Sequence, residues 1–315
     1  MPARVWLRRP FLPLLLISFA GGAAFQDPPP FRISVNVNLV VLHATVRDRK
    51  GGFASDLSEA DFAVYEGGVR QSIRLFRNED VPVTVGLAID HSGSMRRKLT
   101  EVIAAARTFV RSSNPEDRMF VINFNEHVTM GLTGANRFTS RFDELEAAIL
   151  KAPVEGQTAL YDAVAVALDQ LQAGEREKKV LIVISDGGDN ASMHKLAEVL
   201  KMAEQSNAMV YTIGIFDEGD PDRNPDVLRH LAQATGGEAF LPGRLPEVVA
   251  ICEGIARDIR HQYTIGYVPS EAAEPGAYRR IRVEAKSTNR GKLLVRARTG
   301  YIAGEPVTVR GESAP

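Results

Sequence analysis

Residues 81–95 read VPVTVGLAIDHSGSM, and their reading decides the fold. Val83 to Ile89 is an almost unbroken apolar run of strand length, as expected for a strand covered on both faces of its sheet. It ends at Asp90-His91-Ser92-Gly93-Ser94, which sets one carboxylate and two hydroxyls on a tight loop with Gly93 easing the turn. Beyond the loop, Met95, Leu99, Val102, Ala106 and Phe109 recur at helical spacing. A buried strand running into a helix is the repeating unit of a parallel sheet.

The unit recurs downstream. Apolar strands are expected at Met119 to Phe124, Val180 to Ile184 and Met209 to Ile215. The helical stripes between and after them are Phe138, Phe142, Leu145 and Ile149; Leu160, Val164, Ala167 and Leu171; and Val248, Cys252, Ile255 and Ile259. Further helices are expected after Asn190 and near Val227. This alternation predicts an α/β fold, an open doubly wound sheet that is mainly parallel.

Outward from that core the period changes to two. Ile33, Val35, Val37 and Leu39 alternate with polar residues, and Leu42, Ala44 and Val46 alternate in the opposite phase, so a bulge or bend is expected between them. Turns at Gly51-Gly52 and Gly67-Gly68 lead to Phe62 and Val64, then to Ile73 and Leu75. On the far side, Tyr263, Ile265 and Tyr267 alternate, then Ile281, Val283 and Ala285, then Leu293, Val295, Ala297, Thr299 and Tyr301. Flanks of about 50 and 40 residues are each too short to bury a good core alone. They are therefore expected to pair into one β-sandwich-like domain into which the α/β domain is inserted. The resulting plan is a signal peptide at 1–25, a β-rich flank at 26–80, the α/β domain at 81–261, a second β-rich flank at 262–303 and a disordered tail at 304–315.

The chain has 315 residues, 44% of them apolar and 24% charged, a globular composition. Arg4, Arg8 and Arg9 precede an apolar run from Phe11 to Ala20 and small residues from Gly21 to Ala24, the pattern of a cleavable export signal. The run is about half the length a membrane span needs, and Pro13 breaks it. Arg8-Arg9-Pro10-Phe11-Leu12 also resembles a twin-arginine signal, although paired basic residues are common in such regions and ordinary secretion is preferred. Removing the signal takes the basic count from 38 to 35 against 39 acidic residues, so the formal charge moves from −1 to −4. Nothing in that balance favours nucleic acid. Cys252 is the single cysteine, so no internal disulfide can form and the residue is expected to serve as buried packing.

Alone, Asp90-x-Ser92-x-Ser94 says little, because such residues fill many strand-to-helix loops and Ser94 could cap the helix expected from Met95. Two further segments change that. Gly156-Gln157-Thr158 opens another helix, and the strand Val180 to Ser185 ends in Asp186-Gly187. In an open parallel sheet the loops after strand carboxyl ends gather at one edge, where ligands bind. Asp90, Ser92, Ser94, Thr158 and Asp186 would then offer an all-oxygen set suited to a hard cation such as Mg2+, or Mn2+ or Ca2+. Two carboxylates and three neutral hydroxyls leave such an ion under-neutralised and open to a further acidic ligand.

These residues resemble the von Willebrand factor type A (VWA), or integrin I-like, domain with its metal-ion-dependent adhesion site. That family's pattern, D-x-S-x-S followed by a threonine and an aspartate, is filled by Asp90, Ser92, Ser94, Thr158 and Asp186, and the resemblance spans about residues 81–260. It implies that Ser92 and Ser94 contact a metal directly, that Asp90 and Asp186 often act through waters, and that Thr158 changes its contact with the bound state. It also implies a protein partner that supplies a glutamate or aspartate to the metal. The whole chain is similar as well to exported VWA-related proteins of acidobacteria. That similarity lies in Asp56-Leu57-Ser58, Asp61-Phe62-Ala63-Val64-Tyr65-Glu66, Thr235-Gly236-Gly237 and Tyr263-Thr264-Ile265-Gly266-Tyr267.

The expected function is thus a metal-dependent, adhesion-type protein-binding module that is not an enzyme. It is exported to the periplasm, the cell envelope or the medium, and the mature chain has no membrane span. The alternatives are a structural scaffold of a cell-envelope assembly with a stabilising metal, and a metal-dependent hydrolase. Against the hydrolase, a haloacid dehalogenase-like site needs a second aspartate where Ser92 stands, and neither serine lies in a G-x-S-x-G elbow. His91 occupies a variable slot and is expected to face solvent or a neighbour. Asp189 and Asn190 would tune the metal site or cap the helix after them. Asp217, Asp220, Asp222 and Asp226 read as a solvated loop, with calcium binding the less favoured reading.

Overall fold

The structure is a computed structural model that describes residues 39–303, apart from 135, 136, 218, 220 and 221. The export signal, the alternation at Ile33, Val35 and Val37, the tail and Asp220 lie outside the described residues. The first flank contributes β1 (Val40–Arg47), β2 (Phe62–Glu66), β3 (Val69–Gln71) and β4 (Ile73–Arg77). The α/β body starts with β5 (Val83–Asp90), α1 (Leu99–Ser112), β6 (Arg118–Phe124), β7 (Val128–Met130), α2 (Phe142–Ile149) and α3 (Leu160–Gln172). It continues through β8 (Lys178–Ser185), α4 (Leu196–Gln205), β9 (Ala208–Gly214), α5 (Pro225–Thr235), β10 (Ala239–Phe240) and α6 (Glu247–Arg260). The second flank supplies β11 (Tyr263–Tyr267), β12 (Tyr278–Ala285), β13 (Leu294–Arg296) and β14 (Gly300–Ile302).

The central sheet runs β10-β9-β8-β5-β6-β7 and is parallel except for β7 at one edge. Every residue of β5 is buried, as the apolar run requires of a strand covered on both sides. Val85, Leu87 and Ile182 face one core with Phe109 of α1, Leu145 of α2 and Ile255 of α6. Ala88, Phe120 and Leu181 face the other with Val164 of α3, Val199 of α4 and Leu228 of α5. This is the expected doubly wound fold. Because β6 and β8 lie on opposite sides of β5, strand order reverses there, and the carboxyl ends of β5 and β8 border the crevice.

The flanks interleave, also as the fold class anticipates. One antiparallel sheet runs β13-β1-β11-β4 and the other β14-β12-β2-β3, so each mixes strands from both ends of the chain. Leu42 and Ala44 of β1 stand opposite Ile265 and Tyr263, and they share one apolar core with Phe62, Val64 and Ile281 of the second sheet. Among the described residues, no helix is long and apolar enough to cross a membrane.

Three local expectations need correction. Met95 lies in a 3-10 turn at Gly93–Met95, and α1 begins only at Leu99. Phe138 is not part of α2: Thr139 exchanges backbone hydrogen bonds with Met119 at 2.7 and 2.8 Å, which holds this stretch extended. Phe138 packs edge-on against Phe120 on the opposite face of the sheet from Leu145. The alternation from Leu293 to Tyr301 is two strands in different sheets, β13 beside β1 and β14 beside β12. Between them Arg298 is buried, donating from Nε to the Gly300 carbonyl and from its guanidinium to the Glu204 carbonyl at the end of α4.

Candidate metal centre

Asp90 closes β5, and its carboxylate is fully buried. The Ser92 N–H donates to Asp90 Oδ1 at 2.8 Å, which folds the loop back over the strand end. The Ser92 and Ser94 hydroxyls lie 3.1 Å apart, and Ser94 donates to Asp186 Oδ2 at 2.6 Å. One chain of hydrogen bonds thus joins Asp90, Ser92, Ser94 and Asp186 across two loops. Ser94 does not cap a helix, because its hydroxyl is taken by Asp186.

Thr158, also buried, reaches the cluster through its loop. Gly93 donates its N–H to the Gly156 carbonyl at 3.2 Å, which brings the two loops together. No hydrogen bond links the Thr158 side chain directly to the other four. Its peptide is fixed on both sides: Thr158 N–H donates to Asn190 Oδ1 at 2.9 Å, and its carbonyl accepts from the N–H groups of Asn190 and Ala191.

The turn conformations fall elsewhere than on Gly93. Gly156 and Gly187 adopt φ of +81° and +79°, whereas Gly93 is not left-handed. A Cβ at Gly187 would also meet the Asn224 carbonyl oxygen at 2.3 Å, so a side chain is excluded twice over there. At Gly93 a Cβ would meet only the Gly156 oxygen, at 3.7 Å.

Ser185 is a neighbour of the cluster that the sequence does not mark. Its hydroxyl donates to Asp90 Oδ2 at 2.6 Å and accepts the Gly187 N–H at 3.0 Å. Asp189 caps the helix before it rather than the one after, while Asn190 holds the peptide of Thr158 at the cluster itself. Asp189 accepts from Tyr161 N–H at 3.2 Å, in the first turn of α3. His91 is fully buried, not solvent-facing. Its ring faces the Ala152 backbone and the Asn123 side chain without good hydrogen-bond geometry to either, and burial holds it below the usual histidine range. In the acidic loop, Asp217 pairs with the buried Lys98 at 3.1 Å and Asp226 with Arg229 at 2.6 Å, as suits a solvated loop.

Among the described residues, no cationic side chain pairs with the cluster. Asp90 and Asp186 are both buried, and neither forms an ion pair among the described residues. Burial pushes Asp90 up to about 6, and the Asp186 charge adds to this while hydrogen bonds from Ser185 and Ser92 oppose it. Two buried carboxylates with three nearby hydroxyl-bearing residues fit a divalent ion, whose charge would offset their repulsion. Among the described residues, no group of three or more His, Cys, Asp or Glu side chains is placed to hold a metal. A metal held at this cluster would therefore draw on hydroxyl, carbonyl or water oxygens beside the two carboxylates.

A family model of the von Willebrand factor type A domain matches residues 85–244. The chain belongs to the VWA family. VWA domains serve generally as protein-interaction modules and often bind a divalent metal at the adhesion site. A solved structure of von Willebrand factor type A from Catenulispora acidiphila is similar at a TM-score of 0.52 and 13% identity, covering 87% of this chain and 76% of that one. Proximal thread matrix protein 1 from the mussel byssus, whose adhesion-site motif holds zinc, matches at a TM-score of 0.51 and 15% identity. That match covers 62% of this chain and 50% of the mussel protein. At such identities the likeness is one of fold. No curated protein matches the chain.

Proposed function

We propose that this VWA domain is a divalent-metal-dependent binding module of an exported protein, with Asp90, Ser92, Ser94, Thr158 and Asp186 as the metal-holding residues. The observation that carries the reading is the chain of hydrogen bonds that joins the buried Asp90, Ser92 and Asp186 through Ser94, with no cationic partner among the described residues. The oxygen-only donor set, without histidine or cysteine, favours Mg2+, Mn2+ or Ca2+ over zinc. An ion held by these residues would supply the positive charge that a partner's glutamate or aspartate needs. The Ser94–Asp186 hydrogen bond already holds the two loops against each other, so the cradle costs little to order on binding. Binding is favoured over catalysis of the haloacid dehalogenase-like kind, which needs a second aspartate where Ser92 stands.

Calorimetric titration of Mg2+, Mn2+, Ca2+ and Zn2+ into the wild type and into Asp90→Ala and Asp186→Ala tests the metal. One ion is expected on the wild type and none on the variants, with circular dichroism confirming their folds. Absence of binding by all four ions to the wild type would overturn the reading. Capture from envelope and secreted fractions with Mg2+ or chelator then tests adhesion: a partner kept by chelated protein or by Asp90→Ala favours the scaffold. Phosphate-ester turnover abolished by Asp90→Ala favours a hydrolase.

A further inference from the structure

At the foot of the central sheet, at the opposite end of the strands from Asp90 and Asp186, the first flank sheet and the α/β body leave a cleft of about 910 Å³ between them. Its walls come from different parts of the chain. On the sheet side stand Leu39, directly before β1, Val41 of β1 and Leu75 of β4. They project away from the sandwich core, because Leu42 and Ala44 of β1 and Phe76 of β4 fill that core and neighbours along a strand alternate. Gly266 of β11 lies between them. A Cβ there would meet Leu75 at 2.9 Å and Leu39 at 3.3 Å, so the missing side chain lets the two leucines close over the strand as one apolar floor. Val81 and Pro82, just before β5, add apolar surface from the body. No phenylalanine, tyrosine or tryptophan lines the cleft, so its apolar surface is aliphatic throughout.

The charges around this floor are unbalanced. Five cations line the cleft against two acids, Glu175 and Glu177, on a chain whose formal net charge is −1. Three of the five are already engaged: Arg77 with Glu177 at 3.5 Å, Arg176 with the Glu116 carbonyl at 3.1 Å, and the buried Lys178 with the Ile259 carbonyl. The other two stand on opposite walls. Arg74 of β4 is exposed and has no hydrogen bond or ion pair among the described residues. Lys179 of β8 meets only the neutral Gln172, at 3.3 Å from its carbonyl and 3.4 Å from its side-chain oxygen.

We propose that this cleft binds an aliphatic carboxylate of the fatty-acid class, its chain on the leucine floor and its head group taken by Arg74 and Lys179. The size is that of a small-ligand pocket rather than of a protein interface, which presents a broader and flatter face. Each methylene laid on the floor leaves water, so affinity grows with chain length. Arg74 gives up no existing partner when it takes a carboxylate, and its planar fork matches that group in two parallel hydrogen bonds. The site is separate from the metal centre and independent of it.

Calorimetric titration of laurate into the full chain, below the micelle-forming concentration and with EDTA present, tests the site. One laurate per chain is expected, with octanoate weaker by about tenfold or more for its shorter chain and dodecanol weaker by about tenfold for its missing charge. Arg74→Gln and Lys179→Gln should each weaken laurate by about five- to tenfold with an unchanged circular dichroism spectrum. Leu39→Glu, which puts an acid on the floor, should weaken it as well, whereas Asp90→Ala should bind it as wild type does. No saturable binding to wild type, or an affinity unchanged in both Leu39→Glu and the Arg74→Gln, Lys179→Gln double variant, would overturn the proposal. So would a peptide with an acidic and aliphatic carboxyl terminus that binds more tightly than laurate, which would assign the cleft to a protein segment.

Discussion

Ser185 shows what one hydroxyl contributes to a buried carboxylate. It is the last residue of β8, and it both donates to Asp90 and accepts from the Gly187 turn, so it fixes the orientation of one proposed metal residue and the entry to the next. Hydrogen-bond partners behind metal-binding side chains typically change affinity about ten- to hundredfold when removed. Ser185→Ala should therefore weaken Mg2+ binding by that order in a calorimetric titration, while the far-ultraviolet spectrum stays that of wild type. Unchanged affinity would show that Asp90 needs no such support. Asp90, Ser92, Ser94 and Asp186 were legible because their spacing is a pattern within the sequence. Ser185 was not, since a serine ending an apolar strand carries no sign of which side chain it meets. Nor was the binding of Asn190 to Thr158, 32 residues earlier, because an asparagine beside a helix start carries no sign of a partner so distant in sequence.

At the scale of elements, long periodic segments were readable and boundaries were not. The strand β5 emerged nearly whole, whereas β7 and β10, with three and two residues, are too short to show a period. Alternation from Leu293 to Tyr301 gave the phase of the strands but could not reveal that the chain changes sheets at Arg298. The foot of the central sheet has its own chemistry. Asp117, just before β6, accepts the Val83 N–H at 2.8 Å and the Asn114 N–H at 3.1 Å, tying the starts of two strands together. Burial nevertheless raises it from 3.8 to about 6. A carboxyl raised in the fold contributes stability fully below the unfolded value, and that contribution is lost as pH rises through the folded one. Denaturant unfolding of wild type and Asp117→Asn across pH 4 to 7.5 should show the difference moving in favour of wild type on acidification, by about 2 kcal/mol in total. A difference that stays flat across this window would refute the assignment.

Over the whole molecule, insertion makes the two β-rich flanks depend on what lies between them. Their separation in sequence was legible from the change of period, and their pairing followed from size alone. What joins them to the α/β body was hidden, because it consists of charges that read as surface. Asp258 of α6 is buried and accepts from Tyr211 of β9, from Arg296 of β13 and from Arg47 of β1, the last at 3.3 Å. Gln262 donates to the Tyr211 hydroxyl at 2.9 Å, and Arg296 also donates to the Gly236 carbonyl at 2.8 Å. One carboxylate thus holds the last helix of the body, a strand of its sheet and one strand from each flank. Removing it takes the shared carboxylate from two guanidinium groups and a phenol and leaves the half-buried Glu238, at 4.0 Å from Arg47 and 3.6 Å from Arg296, as the acid beside them; breaking a buried pair in this way typically costs about 3 kcal/mol. Asp258→Ala should lower the unfolding free energy by that order, which for a chain of this size lowers the melting temperature by roughly 4–6 °C. The network is near the carboxyl end of α6, beside the Ile259 carbonyl that accepts from Lys178 at the start of β8, and so at the opposite end of the strands from Asp90 and Asp186. Mg2+ affinity should accordingly stay within about twofold of wild type. A large loss of affinity with little loss of stability would instead mean that the flanks act on the metal centre through α6.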